Sequence, residues 1–397
     1  MSDGRRGSVK QAANGTWGFI VDVESDEILP SGKPKRKQTR RRGFATKKAA
    51  QAELTRVLTS LEHAEYVAPS RQTVAEFLQT TWLPSVRHTL KSSTYDSYAR
   101  NIRLHVAGRF LGARQLQKVD GQSLNLLYSL LLDGDDDHRK LSVKSVRYIA
   151  MILHRAFRDA QKWGALSHNP VDRSDPPALT AAREMKTWTT EQARTFLAFV
   201  RDDRNYGAYQ LMLYTGMRRG EALGLKWSDI DLDARHLRIV RSYVSTGAQR
   251  KGDIAAEFSS PKTAKGRRQL ALDDGTIAAL RAHRARQNQE RLALGIGYDD
   301  QDMVFAAADG RPIHPKVFSD KFRRDVLASG VPLIRLHDLR HTYATVALNA
   351  GVHPKIVQER LGHSSISVTL DIYSHVDLEM QSVAAARVAA LLTGDPS

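Results

Sequence analysis

The stretch LGHSSISVTLDIYSHV, residues 361–376, combines a histidine, a small polar turn and an apolar run that leads to a tyrosine. Tyr373 follows His363 by ten positions. Ile366, Thr369 and Leu370 would lie near the tyrosine on a helix, so periodicity favours neither a core tyrosine nor a reactive one. The choice therefore depends on which other polar residues the chain could bring to Tyr373.

The bulk composition narrows the class of protein. The chain has 397 residues, 41% of them hydrophobic, which suggests two or three domains with true cores. Its net charge of +17 favours a polyanionic partner such as nucleic acid. A membrane surface is less favoured, because no apolar run approaches a span and MSDGRRGSVK lacks the apolar segment of a signal peptide. The absence of cysteine excludes disulfides, thiolate metal sites and cysteine nucleophiles.

Residues 1–66 are predicted to form a small module of β-strands closed by a helix. TWGFIVDV (16–23) alternates apolar and polar residues like a half-buried strand, and no acidic residue lies between Ser31 and Ala52. Such charge runs are usually solvated surface. Because this basic run continues into a predicted strand that would lie beside the aromatic-containing strand 16–23, we favour a flat basic face that binds DNA phosphates. Its candidate contacts are Lys33, Lys35, Arg36, Lys37, Arg40, Arg41, Arg42, Lys47 and Lys48.

Two further domains follow. Residues 70–172 carry apolar stripes at helical spacing and are predicted to form an all-α domain of four helices. The Pro- and Ser-rich stretch at 173–186 predicts a linker. Residues 187–397 predict a mixed, mainly α domain with a small antiparallel sheet, whose strand candidates are HLRIVRSYV (236–244) and RRQLAL (267–272). The fold class expected is therefore multidomain α+β.

Two stretches of the last domain carry basic residues at the ends of predicted elements. In YTGMRRGEALGLKW (214–227), Arg218 would begin a helix, and Glu221 could orient a neighbouring guanidinium. In SPKTAKGRRQLAL (260–272), Lys262 falls in a turn between strand candidates, where its amine could reach a ligand. Each signal alone is weak, because surface helices and solvated turn lysines are common.

The stretch RLHDLRHTYATVALNAG (335–351) predicts a helix with two distinct faces. At about 3.6 residues per turn, His337, Arg340 and His341 share one face, and Tyr343 lies on the apolar face as a packing residue. The spacing of the histidines could suggest zinc, but the zincin pattern requires a glutamate where Asp338 stands. With no cysteine available, a metal site is not favoured.

Together these groups suggest phosphoryl chemistry. Two arginines, two histidines and a lysine around one phosphate would neutralise the charge that builds on its equatorial oxygens. A tyrosine hydroxyl, with a pKa of about 10, then becomes a suitable nucleophile. The phosphate ester formed on the tyrosine would conserve the energy of the original phosphoester bond, so that the phosphate could be transferred a second time.

In order and spacing, TGMRRGE, PKTAKGRR, HDLRHTYAT and LGHSSISVTLDIYSHV resemble the motifs of the tyrosine recombinase family, in particular phage integrases of the lambda type. The resemblance covers the whole chain: residues 1–66 are similar to an arm-type DNA-binding domain, 70–172 to a core-binding domain and 187–397 to a catalytic domain. It implies a recombinase that needs neither metal nor nucleotide cofactor. The catalytic set it implies is Arg218, Lys262, His337, Arg340, His363 and Tyr373.

The resemblance also implies the role of each group. Tyr373 would attack a phosphodiester to give a 3′-phosphotyrosyl link and a free 5′-hydroxyl. Arg218 and Arg340, with the two histidines, would hold the phosphate, and His337 could also take the tyrosine proton. Lys262 would be the general acid, although Lys265 in the same turn is an alternative. Glu221 and His341 would support the pocket.

The partners implied are double-stranded DNA, bound at core and arm sites, and three further copies of the chain, with a possible excisionase and host DNA-bending protein. The protein would act in the cytoplasm of a bacterial host, on the nucleoid when DNA-bound. A tail helix at 377–392 could dock on a neighbouring protomer or on its own domain. Two other functions stay open, a type IB-like topoisomerase and a non-catalytic DNA-binding protein. The arm-like module argues against the first and the complete catalytic set against the second.

Overall fold

The computed structural model describes residues 7–28, 34–62, 66–135, 138–179, 186–245, 256–259, 267–363 and 365–370, together with 385–386, 388–390 and 392. The chain divides into two compact units, residues 1–181 and 182–397. The division falls inside the stretch that the sequence predicts to be a linker. None of the helices in the described ranges is long and apolar enough to cross a membrane.

The first unit begins with a three-stranded antiparallel sheet, in which β1 (Gly7–Gln11), β2 (Trp17–Ile28) and β3 (Pro34–Phe44) lie in chain order. Helix α1 (Lys47–Glu62) packs on one face. Because side chains alternate along a strand, Phe19 and Val21 of β2 turn towards α1, where Leu54 and Val57 meet them in the core. The opposite face of the sheet is left without a covering helix in the described part of this unit.

The rest of the first unit is helical. Helix α2 (Val74–Glu76) continues through a π-helical turn (Phe77–Trp82) into α3 (Leu83–Val86), and α4 (Ser92–Ile102) continues through a second π-helical turn (Arg103–Ala107). Helices α5 (Phe110–Ala113), α6 (Gly121–Asp133) and α7 (Val143–Lys162) follow. The sequence does not predict α5, whose four residues are too few for a periodic pattern. Fully buried Trp82 stacks on Tyr98 and donates from its indole nitrogen to Asp159 of α7, 2.8 Å away, which holds these helices together.

The second unit contains two small antiparallel sheets and eight α-helices in its described part. One sheet has the order β4 (Ile230–Asp231), β5 (His236–Ile239), β8 (Arg268–Ala271), and the other pairs β6 (Ser242–Ser245) with β7 (Ala256–Ser259). The helices are α8 (Thr190–Phe199), α9 (Tyr206–Thr215), α10 (Arg219–Leu223), α11 (Asp274–Leu294), α12 (Pro315–Ser329), α13 (Asp338–Asn349), α14 (Pro354–Leu361) and α15 (Ser367–Leu370).

The single strand predicted at 236–244 is in fact two strands in different sheets. The chain leaves the β-ladder at Val240 and Arg241. Arg241 points its guanidinium back at buried Asp229 and at the carbonyl of Gly224. Arg241 stands where the alternation of Leu237 and Ile239 calls for an apolar residue, so the sequence itself marks the point at which the first strand ends.

An aromatic cluster forms the centre of the second unit. Trp188, Phe196 and Phe322 are each at most 2% exposed, with ring centroids 4.9 to 6.0 Å apart. Trp188 also donates from its indole nitrogen to the carbonyl of Pro332 and from its backbone to the hydroxyl of Thr342. The start of this unit is thereby fixed to α13, the helix that carries Arg340.

Candidate active site

The first arginine of the site is placed by the turn between α9 and α10. Gly216 ends α9 in the left-handed region at φ +66°, and a Cβ there would lie 2.3 Å from a side-chain carbon of Leu361. Arg218 is the N-cap of α10. Glu221 accepts from the backbone nitrogen of Arg218 at 2.9 Å and from its Nη1 at 2.8 Å. Glu221 therefore fixes both the backbone and the side chain of Arg218.

The second arginine comes from α13 and meets the first. Arg340 is 2% exposed, and it donates from Nη1 to the carbonyl of Gly216 at 2.9 Å and from Nη2 to that of Leu361 at 2.7 Å. Nη1 of Arg218 lies 3.5 Å from the same Leu361 oxygen. Two guanidinium groups from different helices therefore converge on one carbonyl oxygen.

This convergence brings two positively charged guanidinium groups close together. Burial, followed by the positive charge of Arg218, lowers the pKa of Arg340 to about 9. A guanidinium stays protonated under ordinary conditions, so the pocket holds a cation that its own surroundings disfavour. An anion placed against Arg218 and Arg340 would relieve that cost, which makes the pocket suited to a phosphate group.

His363 lies beside the two arginines. Gly362, with a φ of +67°, is the C-cap that closes α14. His363 follows it and places its Nδ1 2.9 Å from the hydroxyl of Thr369. Burial, followed by the charges of Arg340 and Arg218, lowers the pKa of His363 to about 4. The imidazole is therefore neutral at neutral pH. When Thr369 donates to Nδ1, Nε2 carries the proton and can donate to an anion.

The other two histidines sit at the start of α13. The rings of His337 and His341 meet edge to face with centroids 5.2 Å apart. Partial burial, then His341 and Arg340, lower the pKa of His337, although more than a third of the residue is exposed. The buried Nδ1 of His341 has no hydrogen-bond partner among the described residues. His337 is thus an uncharged ring open enough to reach a bound molecule.

The structure adds Arg268, a residue that the sequence analysis missed. Arg268 lies on β8 with its side chain 7% exposed, and it forms a two-pronged pair with Glu221 at 2.9 and 3.2 Å. Its alternation with buried Leu270 and Leu272 places it on the inward face of the strand. That period-two pattern could have identified Arg268 as a buried arginine needing a carboxylate.

Several residues of the predicted site lie outside the described residues. They are Lys262 and its alternative Lys265, Tyr373, and most of the predicted tail helix 377–392. Of the predicted set, the structure brings together Arg218, Glu221, His337, Arg340, His341 and His363. No group of three or more His, Asp or Glu side chains in the described ranges could hold a metal ion.

The basic residues of the N-terminal sheet divide between its two faces. Arg40 and Arg42 pair with Ile20 and Gly18 and are exposed on the face away from α1. Lys10, which the sequence analysis did not select, pairs with Gly18 and extends this open face onto β1. Arg41 instead turns towards α1 and pairs with Glu53, because neighbouring strand residues point to opposite faces.

The remaining predicted DNA contacts of this module either lie on helix α1 or have side chains outside the described residues. The ammonium group of Lys47 lies 5.7 Å from the ring centroid of Trp17, and Lys48 is exposed on α1. Lys33 and the side chains of Lys35, Arg36 and Lys37 lie outside the described residues. The open face formed by Lys10, Arg40 and Arg42 is thus the part of the predicted basic surface that the structure places.

Glu221→Gln should lower the free energy of unfolding by about 3 kcal/mol, because it leaves buried Arg268 and its neighbour Arg218 without their shared carboxylate. Urea denaturation of the full chain measures the change. The control is Glu359→Gln on α14, where an exposed pair with Lys355 should contribute less than about 1 kcal/mol. Equal stability of the two variants would show that the buried carboxylate does not hold the arginines together.

Two family models match the chain. Residues 186–380 match the model described as the phage integrase family, and residues 8–61 match an arm DNA-binding domain. The chain is 28% identical to a XerC-like tyrosine recombinase of Caldanaerobacter subterraneus subsp. tengcongensis, over 83% of this chain and 86% of that protein. It is 26% identical to the ICEBs1 integrase of Bacillus subtilis, over 97% of this chain and all of that protein.

Solved structures show the same fold. The Tn1549 transposon integrase in complex with a circular intermediate DNA superposes with a TM-score of 0.63 at 22% identity, covering 79% of this chain and 99% of that one. A lambda integrase tetramer bound to a Holliday junction gives a TM-score of 0.53 at 18% identity, covering 92% and 94%. A helical core with small antiparallel sheets is therefore common to all three chains.

Proposed function

The chain belongs to the phage integrase family of tyrosine recombinases, and from this premise we propose that it integrates and excises a mobile DNA element through a phosphotyrosine intermediate. The observation that carries the proposal is the convergence of Arg218 and Arg340 on the Leu361 carbonyl, beside neutral His363. A phosphodiester carries one negative charge, and two guanidinium groups can bind its non-bridging oxygens.

Tyr373 is the proposed nucleophile. Helix α15 ends at Leu370, and Thr369 contacts His363, so only a short chain separates the pocket from the tyrosine. Three residues of extended chain span at most about 11 Å. The phenol oxygen would bond to phosphorus as the bond to the 5′-oxygen breaks, and the 3′-phosphate would stay on the protein.

The proton transfers are assigned to neutral and cationic side chains around this phosphate. Lys262 would donate a proton to the departing 5′-oxygen, and His337, neutral because its pKa is lowered, could accept the phenol proton. Arg218, Arg340 and His363 would stabilise the charge on the pentacoordinate phosphorus. In the second transfer, the 5′-hydroxyl of a partner duplex attacks the phosphotyrosine and the same protons move in reverse.

The proposed partners follow from the relatives. Double-stranded DNA would be bound by both the arm module and the recombinase domain, and four copies of the chain would exchange strands through a Holliday junction, as the lambda integrase tetramer is seen to bind one. An excisionase and a host DNA-bending protein would set the direction. The protein would work in the bacterial cytoplasm, and the tail at 377–392 could serve contacts within or between protomers.

A two-site assay tests the proposed function. The full chain, together with the excisionase and the host DNA-bending protein proposed above, is mixed with a supercoiled plasmid carrying two directly repeated attachment sites, taken from the DNA that flanks the gene in its host. We expect deletion of the intervening segment. Relaxation without deletion would indicate a type IB-like topoisomerase, and neither product would indicate a DNA-binding protein without catalysis; either result would overturn the proposal.

The arm module should bind its own DNA through the open face of its sheet. In the full chain, the double variant Arg40→Gln/Arg42→Gln should bind arm-site duplex more weakly. The negative slope of log K against log[salt] should become shallower by about 2, because each lost phosphate contact releases about one counterion fewer. Fluorescence anisotropy at several salt concentrations measures this. Cleavage of core-site DNA should be unchanged, because the pocket lies in the other unit.

The matched control is Arg56→Gln. Arg56 lies on α1 with its side chain 80% exposed, and its substitution removes one positive charge from the helical side of the module, against the two removed by the double variant. Its salt slope should stay near the wild-type value. A double variant indistinguishable from Arg56→Gln would leave the open face as ordinary solvated surface.

A further inference from the structure

The end of α14 gathers the arginines of the pocket. The carbonyls of residues 360, 361 and 362 accept from the Nε of Arg268, the Nη2 of Arg340 and the Nη2 of Arg218, respectively. The last carbonyls of a helix lack partners within the helix and carry partial negative charge. The C-terminal turn of α14 is thus an anchor for three guanidinium groups, directly before His363.

Arg268 contacts two parts of this pocket at once. Its Nε donates to the end of α14, and its two terminal nitrogens donate to Glu221, which in turn holds Arg218. Each guanidinium nitrogen of Arg268 already donates to a protein oxygen, and the side chain is 7% exposed. The bonds of Arg268 thus hold the carboxylate beside Arg218 and the end of α14 in one arrangement.

A second arginine ties the same turn to its neighbours. Arg360 donates from Nε to the hydroxyl of Tyr343 at 2.7 Å, and its terminal nitrogens lie 3.3 and 3.4 Å from the carbonyl of Ala271. Tyr343, predicted as a packing residue, thus has a hydrogen-bonding role besides its place beside the α13–α14 core. The end of α14 is therefore held against both α13 and β8.

We propose that Arg268 is a positioning residue for DNA strand cleavage, acting on Arg218 through Glu221 and on His363 through the end of α14. This inference rests on the proposed function of the pocket. A lysine at 268 would keep the charge but could not make the three directed bonds of the planar guanidinium. Arg218 and His363 would then shift, and a displacement of about 1 Å in such a site can slow the reaction about 100-fold.

The test compares Arg268→Lys with Arg241→Lys in the full chain. Arg241 also pairs with a buried carboxylate in this unit, Asp229, but it contacts no residue of the pocket among those described, so it controls for the loss of such a pair away from the pocket. Single-turnover cleavage of a nicked attachment-site duplex and the Kd for the same DNA are measured. We expect Arg268→Lys to cleave about 100-fold more slowly than Arg241→Lys, with Kd values within about threefold of each other.

Two results would overturn the inference. Equal cleavage rates in the two variants would show that Arg268 positions nothing, and a loss of affinity as large as the loss of rate would make it a DNA-binding or purely structural residue. If the lysine variant loses its folded fraction, Arg268→Gln, which can still donate to one carboxylate oxygen, is compared in the same way. Absence of cleavage by the wild-type chain would instead refute the proposed function.

A double variant separates action through Arg218 from an independent effect. Adding Arg268→Lys to Arg218→Ala should slow cleavage much less than it does in the wild-type background, because the side chain it positions is already gone. Full multiplication of the two effects would contradict the route through Glu221 and Arg218.

Discussion

Tyr373→Phe should yield no covalent protein–DNA complex and no recombinant product, while the Kd for attachment-site DNA stays within about twofold of wild type. The substitution removes only the phenol oxygen, the atom that is proposed to bond to phosphorus. The arginines that bind the phosphate are untouched, so binding should persist. Denaturing gel electrophoresis with end-labelled DNA detects the complex, and anisotropy measures the affinity.

The matched control for this prediction is Tyr214→Phe. Tyr214 lies on α9 of the same unit and is 43% exposed, and it lies outside the proposed pocket. Its variant should form the covalent complex as the wild type does. A covalent complex formed by Tyr373→Phe would mean that another residue is the nucleophile, and the assignment would fail.

Arg340→Lys should slow strand cleavage by about 10²- to 10³-fold, the cost of removing one donor that stabilises charge in a transition state. The guanidinium bridges the Gly216 and Leu361 carbonyls, which orients it in the pocket, whereas a lysine nitrogen cannot span both oxygens and also meet a phosphate. Single-turnover kinetics on the nicked duplex measure the rate. Thermal unfolding in parallel shows that the variant is folded.

Arg323→Lys serves as the control for this variant, because Arg323 is exposed on α12. It should cleave at the wild-type rate. If Arg340→Lys, folded, also cleaved within a few fold of wild type, the buried guanidinium would be a structural cation and the phosphate site would have to lie elsewhere.

Local features of the sequence predict much of the second unit. Thr189 and Gln192 form the capping box that opens α8, a pattern readable from the sequence. The helical period places Arg340 and the two neighbouring histidines near one another at the start of α13. Arg218 does begin a helix, and Glu221 does orient its guanidinium. These features depend on residues within a turn or two of each other, which is the range that periodicity and capping rules cover.

Long-range pairings lie beyond that range. The pairing of β5 with β8 joins segments about thirty residues apart, and the sequence of neither strand indicates which strand it pairs with. Arg268 reaches Glu221 across 47 positions, and Arg41 leaves the basic face for Glu53 on α1. In each case a buried or half-buried arginine takes a carboxylate that only the tertiary fold brings near.

Identifying the residue that carries the DNA tests the central claim most directly. The wild-type chain is trapped on a nicked attachment-site duplex, the DNA is trimmed with nuclease, and the tryptic peptide 361–387 is sequenced by tandem mass spectrometry. We expect a nucleotide joined through its 3′-phosphate to Tyr373. A nucleotide on another residue, such as Ser374, or one joined through a 5′-phosphate, would contradict it.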